Sequence, residues 1–333
     1  MKLNPPLSWH GGKSRFTSKI IALFPPHHTY VEVFGGSGAV LLAKQPSSVE
    51  VYNDIDPGLA NLFRVIHDPK LCRRLERACR NTLYARSEFD LAREPSDDPV
   101  ERARRFLVRH RMSRGGLGEQ WSFSVKESRH GMGSEVWSWL ATIERLSRLH
   151  ERLQRVYIEQ SDWREVLQRY DDPETLFYAD PPYQQDTRVG GRYTHEMNRS
   201  DHDELIERVL LLRGLVILSG YQHASYKPLE SCGWVRRSCQ VRAHSSDKRT
   251  RRTEQIWVSP GVVDRSGPNG RNRMQGGAFW TNLTRVRGTE EALRAAMERL
   301  RANRQRVTIA GVARAVGMTR EHVSKRYRHL FGA

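Results

Sequence analysis

Asp180-Pro181-Pro182-Tyr183 puts a carboxylate, two prolines and a phenol side by side, directly after the apolar run Thr175-Leu176-Phe177-Tyr178-Ala179. Such a run predicts a buried parallel strand, so the tetrapeptide falls at a strand end, where an open α/β sheet carries its chemistry. The prolines predict a stiff, non-helical turn. It exposes the Asp180 carboxylate, the Pro181 carbonyl with no neighbouring N–H to compete for it, and the face of Tyr183. That set suits an exocyclic amine on a flat ring. The lone pair of such an amine, adenine N6 for example, is delocalised into the ring and is a poor nucleophile. Two acceptors aimed at its protons draw the nitrogen toward a tetrahedral state, while Tyr183 stacks on the ring. A Pro-Pro turn after a strand also serves as a plain connector, so other residues have to decide.

Two further stretches could hold a ligand. Gly35-Gly36-Ser37-Gly38 follows the run Tyr30 to Phe34, and Asp54 ends the run Val49 to Asn53. Glycines let a backbone approach a ligand closely, and an Asp at the end of the next strand can accept hydrogen bonds from ribose hydroxyls. The spacing is not that of a dinucleotide fingerprint, because Leu41 stands where a third glycine belongs. A tight turn with an N-capping Asp is the alternative. Near the start, Trp9-His10-Gly11-Gly12-Lys13-Ser14 ends like a phosphate-binding loop, but Leu7 stands where that loop needs glycine. Trp9 could still stack on a ligand and Lys13 meet a carboxylate.

These residues need elements to position them. Val31 to Phe34 and Val49 to Asn53 read as strands around the helix-like Ala39 to Lys44, a βαβ unit. Strands resume at Arg155 to Glu159, Thr175 to Ala179 and Leu215 to Ser219, with a helix from Asp201 to Arg213. Cys239 to Arg242 and Gln255 to Val258 flank a basic loop and predict a terminal antiparallel hairpin. The expectation is an α/β, Rossmann-like doubly wound sheet formed by residues 1–60 and 151–260. Residues 61–150, rich in Arg, read as a helical insertion. Glycine and proline mark residues 261–284 as a linker. Residues 285–333 then read as a small all-α helix-turn-helix domain, with Thr308 and Thr319 as helix caps and Gly317 in the turn.

The 333 residues hold 55 Lys and Arg against 38 Asp and Glu, a net charge of +17, which points to a polyanionic partner. Residues 281–333 alone carry twelve Lys or Arg against four Glu. Phosphate contacts are expected from Lys248, Arg249, Arg251 and Arg252 in the hairpin loop and from Arg320, Ser324 and Lys325 on the last helix. No apolar run of the roughly 18 residues a membrane span needs is present, and the N-terminus lacks the apolar stretch of a signal peptide. A cytoplasmic monomer is expected. Cys72, Cys79, Cys232 and Cys239 show neither CxxC spacing nor a suitably spaced His, so no metal and no disulfide framework is expected.

Taken in order, Trp9-x-Gly11-Gly12-Lys13, Phe34-x-Gly36-x-Gly38, Asn53-Asp54-Ile55-Asp56 and Asp180-Pro181-Pro182-Tyr183 resemble the Dam-like DNA adenine-N6 methyltransferases over roughly residues 5–260. Asp201-His202-Asp203-Glu204-Leu205 and Gly214 to Tyr221 agree with it. The resemblance implies S-adenosylmethionine as methyl donor, with Trp9, Lys13, Phe34, Gly36, Gly38 and Asp54 around it, Asp180 against it and Asp162 near its adenine. It implies double-stranded DNA as partner and an adenine flipped out of the stack. The insertion falls where this family reads its target, with Arg109, Arg111 and Arg114 as candidate contacts. Its sequence looks more like phage-encoded relatives, so a GATC target is not implied. The helix-turn-helix is not part of the usual family core. Cytosine N4 poses the same chemical problem and is the nearest rival target. A DNA-binding regulator on an inactive methyltransferase fold is the rival from another class.

Overall fold

Alternation inside the apolar runs decides which side chains face which layer. Tyr30, Tyr52, Leu176, Tyr178, Leu215 and Ile217 pack on one side of the sheet, and Val31, Val51, Phe177, Ala179, Val216 and Leu218 on the other. Every one of them is buried, at about 1.5–3 kcal/mol for each fully buried large aliphatic or Phe side chain. Both faces of these strands therefore need a covering layer, which marks a parallel sheet.

The computed structural model describes residues 3–9, 11–14, 16–184, 195–242 and 251–265, and isolated positions beyond 290. α1 (Thr17–Ile21) leads into β1 (Thr29–Glu32), α2 (Ala39–Ala43) and β2 (Val49–Asn53). The insertion follows: α3 (Pro57–His67), α4 (Pro69–Arg80), α5 (Arg86–Leu91), α6 (Pro99–Arg111), the short hairpin β3 (Ser128–Arg129) and β4 (Met132–Gly133), α7 (Ser134–Ile143) and α8 (Leu146–Leu153). The sheet resumes with β5 (Val156–Glu159), α9 (Trp163–Arg169), β6 (Thr175–Ala179), α10 (Arg199–Leu211) and β7 (Leu215–Gly220). α11 (Lys227–Ser231), β8 (Val235–Arg242), β9 (Arg251–Val258) and α12 (Pro260–Arg265) complete this part.

The sheet order is β5-β2-β1-β6-β7-β9-β8. Pairs β1–β2, β2–β5, β1–β6 and β6–β7 are parallel, whereas β9 pairs antiparallel with β7 and β8. The chain winds outward from β1 and returns to its other side at β6, so the order reverses between β1 and β6. A crevice opens there at the carboxyl ends of the strands. The expected doubly wound sheet with a terminal hairpin is what forms. The hairpin strands are longer than their apolar cores, because the ladder runs from Val235↔Val258 to Arg242↔Arg251.

Three helices of the insertion start with the same device. Asp56, Asp68 and Asp98 each precede a proline and accept backbone N–H bonds from the first turn. The carboxylate satisfies orphan donors and the proline fixes φ at a position that needs no N–H. On α4, Cys72, Leu75 and Cys79 form the buried stripe. Burial pushes the Cys72 and Cys79 thiols up to about 11 and about 12, so they are inert core groups. Arginine is not uniformly outward: Arg104 is buried and pairs with Glu88 at 2.8 Å and Glu101 at 2.7 Å.

A buried cluster fastens the insertion to the sheet. Glu50 on β2 is pinned by Lys44 at 2.5 Å and by both Arg152 nitrogens at 2.6 and 2.8 Å, and Arg152 also donates to Leu41 O. Burial pushes the Glu50 carboxyl up, but the Arg152 and Lys44 hydrogen bonds outweigh it and hold the group below the usual range.

Residues 261–265, expected in a linker, continue α12 instead. Ser259 N–H donates to Val216 O and Val262 is buried, so the apolar Gly261-Val262-Val263 stretch is used as core. The chain divides into compact units 1–271 and 272–333. In the second, Arg294, Met297 and Glu298 are helical, Met297 and Val312 are buried, and Val312 N–H donates to Thr308 O at 2.9 Å. The rest of the expected helix-turn-helix, including Arg320, Ser324 and Lys325, lies outside the described residues, as do Lys248 and Arg249.

Candidate active site

A cavity of about 320 Å³ occupies the crevice at the switch point. Three strand exits build it. After β1 the chain turns through Gly35, Gly36 and Gly38. Gly36 has φ +50, and a Cβ there would lie 3.0 Å from the Trp9 indole. A Cβ on Gly35 would strike the Tyr52 ring at 2.2 Å. Tyr52 donates its hydroxyl to Gly36 O at 2.6 Å. Gly38, at φ 68, is the left-handed N-cap of α2 and does not line the cavity.

After β2, the Asp54 carboxylate accepts from Gly36 N–H at 2.7 Å and Asp56 N–H at 2.9 Å, which ties the first two strand exits together. Burial pushes this carboxyl up to about 6, against the pull of the two N–H groups. Asn53 makes the corresponding tie to the third exit, donating to Val33 O and Ser161 O and accepting from Ser161 N–H. Asp162 caps α9 through Arg164 N–H, and its carboxylate also meets the Arg164 guanidinium at 3.1 Å. That guanidinium bridges to Asp201 at 2.6 Å and Glu204 at 2.8 Å and lies over the Trp163 ring. Arg164 thus fastens α10 to the rim.

After β6, both oxygens of Asp180 are engaged. Oδ2 lies 2.8 Å from Lys13 Nζ, and Oδ1 is 2.9 Å from the Tyr183 hydroxyl. The same hydroxyl lies 2.7 Å from Glu254 Oε2, on β9. Lys13 Nζ also sits 4.8 Å above the Tyr183 ring, donates to Gly11 O at 3.0 Å and is 3.8 Å from Glu254 Oε2. Each Asp180 oxygen can accept a second hydrogen bond. Glu32, at the end of β1, faces the same cavity. Burial pushes its carboxyl up to about 8, although Tyr30 OH and Leu41 N–H both bond to it.

The structure therefore gathers Trp9, Lys13, Phe34, Gly36, Asp54, Asp162, Asp180 and Pro182 on one cavity. Three expectations change. Lys13 is already paired, with the Asp180 carboxylate, so it is not waiting for a carboxylate of a ligand. Tyr183 is buried under Lys13, with the Tyr221 ring edge-on at 4.6 Å, so its faces are not open to a stacking base. Arg111 turns inward and donates to Ser8 Oγ, Ser138 O and Ser138 Oγ, so it fastens the N-terminal segment to α7 rather than meeting phosphate. Burial pushes this guanidinium down to about 10. Arg109 and Arg114 are exposed. Arg251 and Arg252 lie at the start of β9.

Residues 9–212 match the family described as D12 class N6 adenine-specific DNA methyltransferase. The chain belongs to this family. The match spans all the strand exits around the cavity and the whole insertion. Over 208 residues the chain is 26% identical to the type II methyltransferase M.MjaIII of Methanocaldococcus jannaschii, across 55% of this chain and 70% of that protein. DNA adenine methylation is accordingly the activity of this enzyme.

Glu32, Asn53, Arg164 and Glu254 have structural or electrostatic roles at the site that the sequence did not announce. A Glu inside the apolar run Val31-Glu32-Val33 was a usable signal, since a charge in a buried strand demands partners. Glu254 gave none, because it lies in a basic, polar stretch far along the chain.

Proposed function

We propose that the cavity binds S-adenosylmethionine, which supplies a methyl group already activated by its sulfonium, and that Asp180 faces the amine of a flipped adenine. The observation that carries the proposal is the convergence of the glycine turn, Asp54 and Asp180 on one cavity at the β1–β6 switch point. The site fits such a group. Gly36 lets the backbone and the Trp9 indole close on a ligand without a Cβ, and Asp54 still has acceptor capacity for ribose hydroxyls. Phe34, with Trp163 at 6.3 Å, offers apolar ring surface, and Asp162 offers an acceptor at the rim.

Asp180 and the Pro181 carbonyl accept the amine protons and hold the nitrogen with its lone pair directed at the methyl group. Asp180 need not be a strong base, since the amine becomes far more acidic once it carries the methyl group and a positive charge. Positioning and exclusion of water do the rest. Pro182 lines the wall beside Asp180, and Tyr183 holds the carboxylate from behind.

The duplex is held by the insertion and the basic hairpin end. Arg109 and Arg114 are solvent-facing on the insertion, and Phe123 at 60% and Val125 at 89% exposure give it an apolar tip beside them in sequence. Residues 285–333 add DNA affinity through Arg320, Ser324 and Lys325. The type II designation of the archaeal relative supports a place in a restriction–modification pair. The test is incubation of the purified protein with unmethylated genomic DNA and S-adenosylmethionine, followed by sequencing that reads methylated bases in context. Methylated adenines in one short motif are expected. Methylation spread without motif would overturn site specificity, and loss of binding to S-adenosylmethionine on Asp54→Ala is the matching test of the cavity.

A further inference from the structure

Trp9 lines the cavity from a stretch that forms neither helix nor strand among its described residues. Its indole touches the glycine turn, where a Cβ on Gly36 would sit 3.0 Å away, and it meets two rings of α6, His110 at 4.9 Å and Phe106 at 6.1 Å. His110 and Phe106 are themselves 4.4 Å apart, so the three rings form one group. Phe106 is fixed in turn against the start of α3, since a Cβ on Gly58 would strike it at 2.4 Å. His110 has a second contact. Its Nδ1 lies 2.9 Å from Gly116 O, which can only accept, so Nδ1 carries the proton. Burial holds the imidazole below its ordinary range, against the pull of the Gly116 carbonyl, and the ring is neutral in this tautomer at neutral pH. The turn that carries Gly116 is also the one beside the exposed Arg109 and Arg114. Arg109 Nε donates to Gly118 O at 3.3 Å, and Arg114 N–H to Gln120 O at 2.8 Å. Gly116, at φ +74, packs on the residue before Trp9, where a Cβ would lie 2.2 Å from Ser8 O.

We infer that His110 is a positioning residue that joins the cavity to the turn over residues 113–118, so that S-adenosylmethionine and DNA each bind more tightly when the other is bound. The inference rests on the cavity taking S-adenosylmethionine and on Arg109 and Arg114 meeting DNA. One side chain seats the Trp9 indole through its ring and the Gly116 carbonyl through its Nδ1 proton. A ligand against Trp9 fixes His110 and with it the turn. DNA on the turn fixes His110 and with it Trp9. The contacts that one ligand orders are already ordered for the other, which gives the coupling its positive sign. Linkage then requires the same factor in both directions. Each half of the connection can be removed alone. His110→Phe keeps a ring against Trp9 but has no donor for Gly116 O, and His110→Gln keeps a donor but no ring.

The experiment measures binding of S-adenosylhomocysteine to the full chain by calorimetry, with and without saturating sheared, unmethylated genomic DNA at one fixed salt concentration. This probe has no methyl group to transfer and no sulfonium charge, so neither turnover nor simple attraction to DNA enters the result. The parent should bind it at least about fivefold more tightly with DNA present. In His110→Phe and in His110→Gln that factor should fall below about twofold. A cooperative urea transition in each variant shows that the fold is kept. A merely structural role for His110 would lower the urea midpoint or weaken both ligands and leave the factor as it is in the parent. A parent factor near one, or a parent-like factor in either variant, would overturn the inference. No binding of the probe to the parent, binding that Asp54→Ala leaves unchanged, or no binding of DNA would instead remove the reading of the two sites beneath it.

Discussion

Two lysine–carboxylate clusters sit on the same parallel sheet, one at each end of its strands, and they have opposite composition. At the start of β2, Glu50 is fully enclosed and two cations, Lys44 and Arg152, meet one carboxylate. At the end of β6, among the described residues, two carboxylates, Asp180 and Glu254, meet one cation, Lys13, beside the cavity. The first cluster is closed and links α2, β2 and α8. The second lies beside the cavity at the β1–β6 switch point. The chemistry of the residues is alike. Their position along the strand decides the role, because only the carboxyl ends open into a crevice.

The sharpest way to break this contrast is to remove one carboxylate from each cluster. Asp180→Ala should leave a folded protein whose methyl transfer falls by at least about 10³-fold, a loss of roughly 4 kcal/mol in transition-state stabilisation. Binding of S-adenosylmethionine should be weakened but measurable by calorimetry. Near-normal turnover would sink the assignment. Glu50→Ala should do the reverse and unfold the protein more easily by about 3–5 kcal/mol, because Lys44 and Arg152 would be left buried without a counter-ion. Urea denaturation measures it, and an unchanged midpoint would show that the cluster is dispensable.

Glu32 refines the comparison, since it is a carboxyl with no cation in hydrogen-bond contact among the described residues. Unfolded, it loses its proton around 4.5, whereas folded it keeps it up to about 8. Between these values the native state binds more protons than the unfolded one, so stability falls as pH rises through that window, by on the order of a few kcal/mol. Denaturant midpoints from pH 4.5 to 8 should show this fall in the parent and a flatter profile in Glu32→Gln. Equal slopes would contradict it.

The two arginines of α6 carry the contrast into the insertion. Arg111→Ala should cost about 1–3 kcal/mol of stability through lost buried hydrogen bonds. Arg109→Ala should leave stability alone and weaken DNA binding with a smaller salt dependence, by about one phosphate contact. Nearly equal stability in the two variants would mean that Arg111 is not a fastening residue. The smallest effect is expected at Gly36→Ala, where a positive φ and the Trp9 contact should weaken S-adenosylmethionine binding, read by calorimetry, by roughly 1 kcal/mol, about fivefold in dissociation constant.

The sheet was legible in the sequence because its strands are short, wholly apolar runs. Val49–Asn53 and Thr175–Ala179 form over the residues expected of them. β1 forms two residues earlier than expected, over Thr29–Glu32, because Thr29 and Tyr30 pair with Val49 and Glu50 on β2, while the chain turns away toward Gly35 after Glu32. The helix after the Asp180 loop also starts earlier, since Asn198 and Asp201 form a reciprocal capping box. The candidate site was legible as four separate motifs, each at a strand exit.

What the sequence determined by itself was local: strands from apolar runs, helix starts from Asp-Pro pairs, and a turn that only glycine can make. Those choices depend on backbone sterics and on burial of neighbours a few residues apart. Which charges meet was decided only by the tertiary structure. Lys13, Asp180 and Glu254 come from the first loop, the fourth parallel strand and the last antiparallel strand. Tyr183 and Arg111 turned inward for the same reason: a polar group facing the interior takes whichever partner the packing brings within about 3 Å, at whatever distance along the chain.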